Sequence, residues 1–230
     1  MNRPFKLLVF DWDGTLMDSE ARIVTSFNAA MTDVGAAPLP DAVVRDIIGL
    51  ALPEALQQLV PDADSALQQR LIERYRHHYL YTSPVPAQLF PGAADTVREL
   101  RQQGYLLAVA TGKGRRGLDS VLVETGCTDF FHTTRCSDET FSKPHPRMLL
   151  EIMEELEVNA QDTLMIGDTE YDMRMAQNAG AAALAVSYGS GFTNDAPQRL
   201  LQWGALACVD SMDEVREWLR VYATPTRNPL

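Results

Sequence analysis

Two pairs of aspartates stand out as groups that could do chemistry. The first lies in Asp11-Trp12-Asp13-Gly14-Thr15, directly after the apolar run from Lys6 to Phe10. Residues two apart at a strand end share a face, so Asp11 and Asp13 are expected to point into one site. Gly14 permits a tight turn away from the strand. Two carboxylates this close repel unless a cation lies between them or one holds a proton. The second pair lies in Ile166-Gly167-Asp168-Thr169-Glu170-Tyr171-Asp172, after the run Thr163–Ile166. Asp168 leaves the strand end, and Asp172 sits four residues on, at the opening of a helix. Hard oxygen ligands gathered from two strand ends suit Mg²⁺. Helix-dipole stabilisation of acids explains Glu170, but not an Asp-Asp pair at the tip of a buried strand.

Groups able to meet an anion follow the same logic. Thr111-Gly112 ends another apolar run and offers a hydroxyl and a free backbone amide. In Ser142-Lys143-Pro144-His145-Pro146, Pro144 holds Lys143 extended at a loop tip, where it can neutralise both carboxylate and phosphate. Taken singly, a Thr-Gly or a Lys-Pro is more often just a turn.

These groups need a frame that brings strand ends together. Four apolar runs, Lys6–Phe10, Tyr105–Ala110, Thr163–Ile166 and Ala182–Val186, read as strands of a parallel sheet buried on both faces. Helical patterns alternate with them: Ala93–Gln103, Arg115–Thr125, Pro146–Leu156 and Tyr171–Asn178, three of them stopped by Gly104, Gly126 and Gly180. The pattern predicts a doubly wound, Rossmann-like α/β fold. A terminal helix is expected over Asp213–Leu219, and the tail Ala223–Leu230 is expected to fray.

Between Asp18 and Pro86 no strand is expected. Asp18 or Ser19 opens a helix to about Val34, and further helices are expected from Pro40-Asp41 to Ile48, from Pro53 to Val60 and from Ser65 to Tyr81. An all-α unit, residues 16–86, is therefore inserted into a core of residues 1–15 and 87–230. Its two exits, Thr15–Met17 and Ser83–Pro86, read as hinges.

The 230 residues carry a net charge of −11, with 46% apolar and 22% charged residues. This excludes a disordered chain and argues against nucleic acid or anionic membranes as partners. An acidic protein that handles an anion needs local positive charge or a metal. Cys127, Cys136 and Cys208 match no zinc or redox spacing and read as thiols, with Cys127 and Cys208 packed as small hydrophobes. The first apolar run is too short for a signal peptide, so a cytoplasmic location is expected. The sequence leaves the oligomeric state, monomer or dimer, open.

Asp-x-Asp, Thr-Gly, Lys-Pro and Gly-Asp-x-x-x-Asp, in that order across essentially the whole chain, resemble the haloacid dehalogenase superfamily of hydrolases. The inserted helices resemble the small cap of its phosphoglycolate phosphatase and β-phosphoglucomutase group. The resemblance implies Asp11 as nucleophile, forming an aspartyl-phosphate, and Asp13 as general acid/base. It implies Thr111, Gly112 and Lys143 as phosphate ligands, and Asp168, Asp172, Asp11 and the Asp13 carbonyl as Mg²⁺ ligands. Dehalogenases of the superfamily lack an acid at the position of Asp13, so a phosphatase acting on a small phosphorylated metabolite is expected, phosphoglycolate being one candidate. Phosphonoacetaldehyde hydrolases use a cap lysine, and no lysine occurs between Lys6 and Lys113. The cap loop Gly49–Leu52 is implied to read the leaving group. Gly14, Thr15, Arg45, Gly49 and Lys113 are the candidates for substrate contact.

Two alternatives compete. One is a phosphomutase of the same architecture. The other is a dinucleotide-binding module built on Gly112-Lys113-Gly114-Arg115-Arg116-Gly117, a formal G-x-G-x-x-G. That loop falls mid-chain, and no ribose-binding acid stands near Phe131–Thr134. The glycines fit a backbone approaching phosphate, with Lys113, Arg115 and Arg116 as a basic rim.

Overall fold

The computed structural model describes residues 4–86, 88–189 and 196–222. Its centre is strand β1 (Leu7–Phe10), every side chain of which is buried. A fully apolar strand needs both faces covered, and alternation divides it between two cores. Leu8 and Phe10 join one apolar cluster with Leu107, Val109, Leu164 and Ile166. Leu7 and Val9 join another with Ala108, Ala110 and Met165.

After β1 come β2 (Met17–Asp18), α1 (Glu20–Asp33), α2 (Asp41–Arg45), α3 (Leu52–Leu59) and α4 (Ser65–His77). Then follow β3 (Gln88–Leu89), α5 (Ala93–Gln102), β4 (Leu106–Thr111), α6 (Arg115–Glu124) and β5 (Thr133–Cys136). The chain continues through α7 (Arg147–Glu155), β6 (Thr163–Gly167), α8 (Glu170–Ala179), β7 (Ala182–Val186), α9 (Ala196–Gln202), β8 (Cys208–Val209) and α10 (Met212–Tyr222).

Six strands form one parallel sheet in the order β5-β4-β1-β6-β7-β8. Strand order reverses beside β1, which pairs β4 on one side and β6 on the other. Ligand crevices of open α/β sheets lie outside the carboxyl ends of strands at such a switch point. Phe10 is in register with both Val109 and Ile166. Asp11, Thr111 and Asp168 therefore leave the sheet at nearly one level.

The four apolar runs are strands as expected. Two strands of the sheet are absent from the sequence reading. β5 has the polar sequence Thr-Thr-Arg-Cys, which an edge strand with one neighbour tolerates, and β8 is two residues long. A short ribbon flanks the helical segment: β2, which reaches Asp18, and β3, just beyond Pro86, pair antiparallel, Met17 opposite Leu89. This short ribbon lies where the chain leaves and re-enters the α/β unit. Hydrogen bonding across a two-residue ladder leaves no periodic signature in sequence.

Helices α1 to α4 lie between β2 and β3, where helices are expected. Ser19 is the N-cap of α1 by position only; its backbone is helical rather than extended, so its hydroxyl makes no capping bond. α2 stops at Arg45 instead of Ile48. Residues 46–49 form tight turns, with Ile48 N–H donating to the Arg45 carbonyl and Leu50 N–H to that of Ile47. The last expected helix ends at His77 and widens into a π-helical turn over His78–Thr82. α10 is longer than expected, and the tail Ala223–Leu230 lies outside the described residues.

The insert and the sheet share one apolar cluster. Trp12, the residue between the first two acids, is fully buried, edge-on to Phe131, and its indole N–H donates to Met17 Sδ at 3.2 Å. Through Leu16 and Met17 the cluster runs on to Phe27, Ile48, Leu56 and Tyr79. All three cysteines are free: Cys127 and Cys136 are buried in this cluster, and half-buried Cys208 packs on the other. No helix among the described residues is long and apolar enough to cross a membrane.

Candidate active site

The carboxyl ends of β1, β4 and β6 supply the acids and the anion-binding groups. Asp11, Asp13, Asp168 and Asp172 are all buried, at most 6% exposed. One carboxylate oxygen each from Asp11, Asp168 and Asp172 lies within 4.8 Å of the others. Burial is the first cause that raises the Asp11 carboxyl to about 7; Asp172 and Asp13 add to it and Lys143 opposes it. Burial, then Asp11 and Asp172, likewise holds Asp168 well above the usual carboxylate range. Asp11 Oδ2 and Asp13 Oδ1 are buried without a hydrogen-bond partner among the described residues.

Lys143 sits beneath these acids and is itself buried. Its Nζ lies 2.7 Å from Asp11 Oδ1 and 2.6 Å from Asp172 Oδ1. The two acids outweigh the cost of burial and keep its ammonium above the usual lysine range. Asp172 has a second task. Its Oδ2 accepts from the Thr169 amide and hydroxyl at 3.1 and 2.7 Å, closing a capping box on α8. One residue thus serves both the helix-terminus reading of this acid and the clustered-ligand reading.

Gly14 is needed for space as well as conformation. Its φ is +83°, and a Cβ there would collide with the Asp168 carboxylate. Thr15 is fully buried and donates from Oγ1 to Asp168 Oδ1 at 3.0 Å, so its hydroxyl orients an acid.

A cavity of about 230 Å³ opens above this floor, lined by Asp11, Asp13, Thr111, Gly112, Lys113 and Gly49 among others. Lys143, Asp168 and Asp172 lie behind its lining. Gly112 lets the insert approach: a Cβ there would strike the Gly49 carbonyl. The loop after α2 thus rests on the loop after β4. Arg45 does not line the cavity; its guanidinium pairs with Glu20 at 2.5 Å on a partly exposed face. The tight turns after α2 carry Gly49 towards the site, while Arg45 ends the helix before them.

Lys113, expected on a basic rim and as a candidate for substrate contact, lines the cavity but is committed to protein partners. It is buried, 2.9 Å from Asp13 Oδ2, and donates to the Tyr79 hydroxyl at 2.9 Å. Its Nζ also lies 4.2 Å from the Tyr79 ring centroid. Burial disfavours its charge, but Asp13 outweighs this and holds the ammonium above its usual range. Tyr79 was missed as a site residue. The available signal was the i, i+4 spacing of Tyr75 and Tyr79, which places both rings on one helix face. Of the other rim cations, Arg115 pairs with Glu139 at 2.7 Å, and Arg116 donates to Tyr81 Oη at 3.2 Å.

The G-x-G-x-x-G loop has a local use. β5 runs to Cys136, beyond Phe131–Thr134, so the acids to weigh for a ribose are Asp138 and Glu139. Glu139 is held by Arg115. Asp138 Oδ1 accepts from the Arg115 amide at 2.9 Å, placing a carboxylate at the α6 N-terminus where a pyrophosphate would sit.

Residues 8–186 match the family model described as haloacid dehalogenase-like hydrolase. The chain is 36% identical over 190 residues to "Probable phosphatase IndB" of Dickeya dadantii strain 3937, covering 80% of this chain and 81% of that protein. It is 31% identical over 192 residues to a phosphoglycolate phosphatase of Vibrio vulnificus, covering 80% of this chain and 84% of the relative. Its fold matches the solved structure of a haloacid dehalogenase-like family hydrolase from Streptococcus pneumoniae with a TM-score of 0.80, at 24% identity, over 94% of this chain and 98% of that one.

Proposed function

The chain belongs to the haloacid dehalogenase-like hydrolases and is a phosphoric monoester hydrolase, and we propose that it cleaves small phosphorylated metabolites in a Mg²⁺-dependent reaction through an aspartyl-phosphate on Asp11. The observation that carries this reading is the floor of the cavity. Three buried carboxylates share a site small enough for one cation, and Asp11 keeps an oxygen without a hydrogen-bond partner there. Four buried acids against Lys143 and Lys113 leave an excess of negative charge that a hard dication fits. Asp11, Asp168, Asp172 and the Asp13 carbonyl would hold it; when bound, it neutralises charge on the transferring phosphoryl group.

The chain's own residues do the rest. An Asp11 oxygen attacks phosphorus and the bond to the leaving alcohol breaks. Asp13 gives its proton to the departing oxygen. Its Oδ2 is engaged by Lys113, so Oδ1 is the atom that carries the proton. In the second step Asp13 takes a proton from water, the hydroxide attacks phosphorus, and Asp11 and inorganic phosphate are released. Thr111, Gly112 and Lys143 hold the phosphoryl oxygens. Residues 16–86 act as a cap over the core of residues 1–15 and 87–230 and exclude water from these steps.

A screen of phosphate esters with Mg²⁺ tests the reading. Inorganic phosphate should be released, EDTA should stop it, and Asp11→Asn should be inactive. Metal-independent turnover removes the metal, and wild-type turnover by Asp11→Asn removes the nucleophile.

A further inference from the structure

Asp13 is the first link of a chain of contacts that leaves the cavity. Its Oδ2 lies 2.9 Å from Lys113 Nζ, and Lys113 donates to the Tyr79 hydroxyl at 2.9 Å. Tyr79 is gripped in turn by Arg22, a buried residue in the first turn of α1. Arg22 Nε and Nη2 both donate to the Tyr79 carbonyl, at 3.2 and 2.8 Å. Its guanidinium carbon lies 4.6 Å from the Tyr79 ring centroid. Tyr79 stands in the π-helical turn that ends its helix, where carbonyls run out of intrahelical donors, so the guanidinium fork fills a local need. Arg22 Nη1 then donates to Glu124 Oε2 at 2.9 Å, the last residue of α6. Neither Arg22 nor Glu124 lines the cavity.

Arg22 and Tyr79 lie on the helical insert, Lys113 after β4 and Glu124 on α6. The chain of contacts therefore passes between insert and α/β unit twice. Two cations share one ring, with Lys113 Nζ 4.2 Å from its centroid. Asp13 beside Lys113 and Glu124 beside Arg22 offset the repulsion between them. Without Glu124, Arg22 is a buried charge that has lost its counter-ion. The strain falls on Tyr79 and passes through Lys113 to Asp13. Proton transfer is sensitive to such small displacements.

We infer that Arg22 and Glu124 are positioning residues for the proton transfer by Asp13, acting through Tyr79 and Lys113. The inference rests on the reading of Asp13 as general acid.

The test compares two aromatic esters on the full-length, Mg²⁺-loaded enzyme. Benzyl phosphate releases an alcohol that needs a proton as it departs, whereas p-nitrophenyl phosphate releases a stable phenolate that does not. The quantity read is kcat/KM, which covers the steps up to that departure. Glu124 is partly exposed, so Glu124→Ala is the first variant. It should lower kcat/KM for benzyl phosphate at least about fivefold more than for p-nitrophenyl phosphate, a small part of the roughly hundredfold or more that a positioned acid supplies. Arg22→Lys keeps a charge for Glu124 but loses the two-pronged hold on the Tyr79 carbonyl, and should shift the ratio the same way. Partial unfolding lowers both rates by one factor, so the ratio separates position from stability. Asp13→Asn should shift it further than either. An Asp13→Asn enzyme with the wild-type ratio sinks the acid reading and this inference with it. A shifted ratio in Asp13→Asn, with a shift under about fivefold in both Glu124→Ala and Arg22→Lys, overturns the inference alone.

Discussion

The floor of the cavity is built from charged groups at strand ends, whereas its wall is built from apolar side chains on helices and turns. In the floor, each acid has one or two named partners: Lys143 for Asp11 and Asp172, Thr15 for Asp168, Lys113 for Asp13. Position there follows from strand register, so few side chains could move without losing an ion pair. In the wall, Phe27, Ile48 and Leu52 are held by packing, which is non-directional and tolerates exchange among residues of similar volume. The floor is suited to one reaction, and the wall can be retuned to different alcohols. Lys113 and Tyr79 are where the two meet.

The contrast can be broken most severely at the floor. Asp11→Asn should lower p-nitrophenyl phosphate turnover by at least about a thousandfold while leaving the circular dichroism spectrum intact. A milder loss would mean that the floor is less specialised than its geometry suggests. Metal removal comes next. EDTA should stop turnover, and the metal-free protein should lose stability as pH rises. The folded-state carboxyl of Asp11 is raised to about 7 from 3.8, so the protonated form favours the fold. That contribution is full below the unfolded value and is lost as pH climbs through about 7. Mg²⁺ should therefore raise the Tm more at about pH 8 than at about pH 5; equal shifts would argue against carboxylate ligation.

At the junction, Lys113→Met leaves Asp13 buried and unpaired. The expected cost is about 3–5 kcal/mol in urea unfolding, because a buried pair has lost one partner. A drop in kcat of about a hundredfold should accompany it through misplacement of Asp13. Tyr79→Phe removes only the hydroxyl that accepts from Lys113. It should cost about 1 kcal/mol and a few-fold in kcat. An effect as large as that of Lys113→Met would move the junction's weight onto the insert. Arg45→Ala should change stability by under about 0.5 kcal/mol and leave kcat/KM unaltered, since its pair with Glu20 is partly exposed. A tenfold loss of activity there would return Arg45 to the site.

The floor was legible in sequence and the wall was not, for a physical reason. Asp11, Asp13, Asp168 and Asp172 stand directly after apolar runs, and a buried parallel strand delivers whatever follows it to the sheet's carboxyl edge. The α/β alternation and the helical insert were legible from the same periodicity. The ribbon of β2 and β3 and the edge strands β5 and β8 were not, because short or polar strands carry little apolar pattern. Arg45 looked well placed along the chain, but tight turns intervene and its partner is Glu20.

By itself, the sequence determined which acids stand at the strand ends that the fold brings together and which lysine could meet them. Local order is enough for that, because strand and helix periods are properties of a few consecutive residues. Only the tertiary structure decided that Lys113 pairs with Asp13 under Tyr79 instead of facing water. The same holds for the way Ile23, Ile48, Leu52 and Leu80 from separate segments close into one apolar wall. Contacts between residues tens of positions apart depend on how the insert rests against the sheet. That is settled by packing across the whole chain, and no local run of residues encodes it.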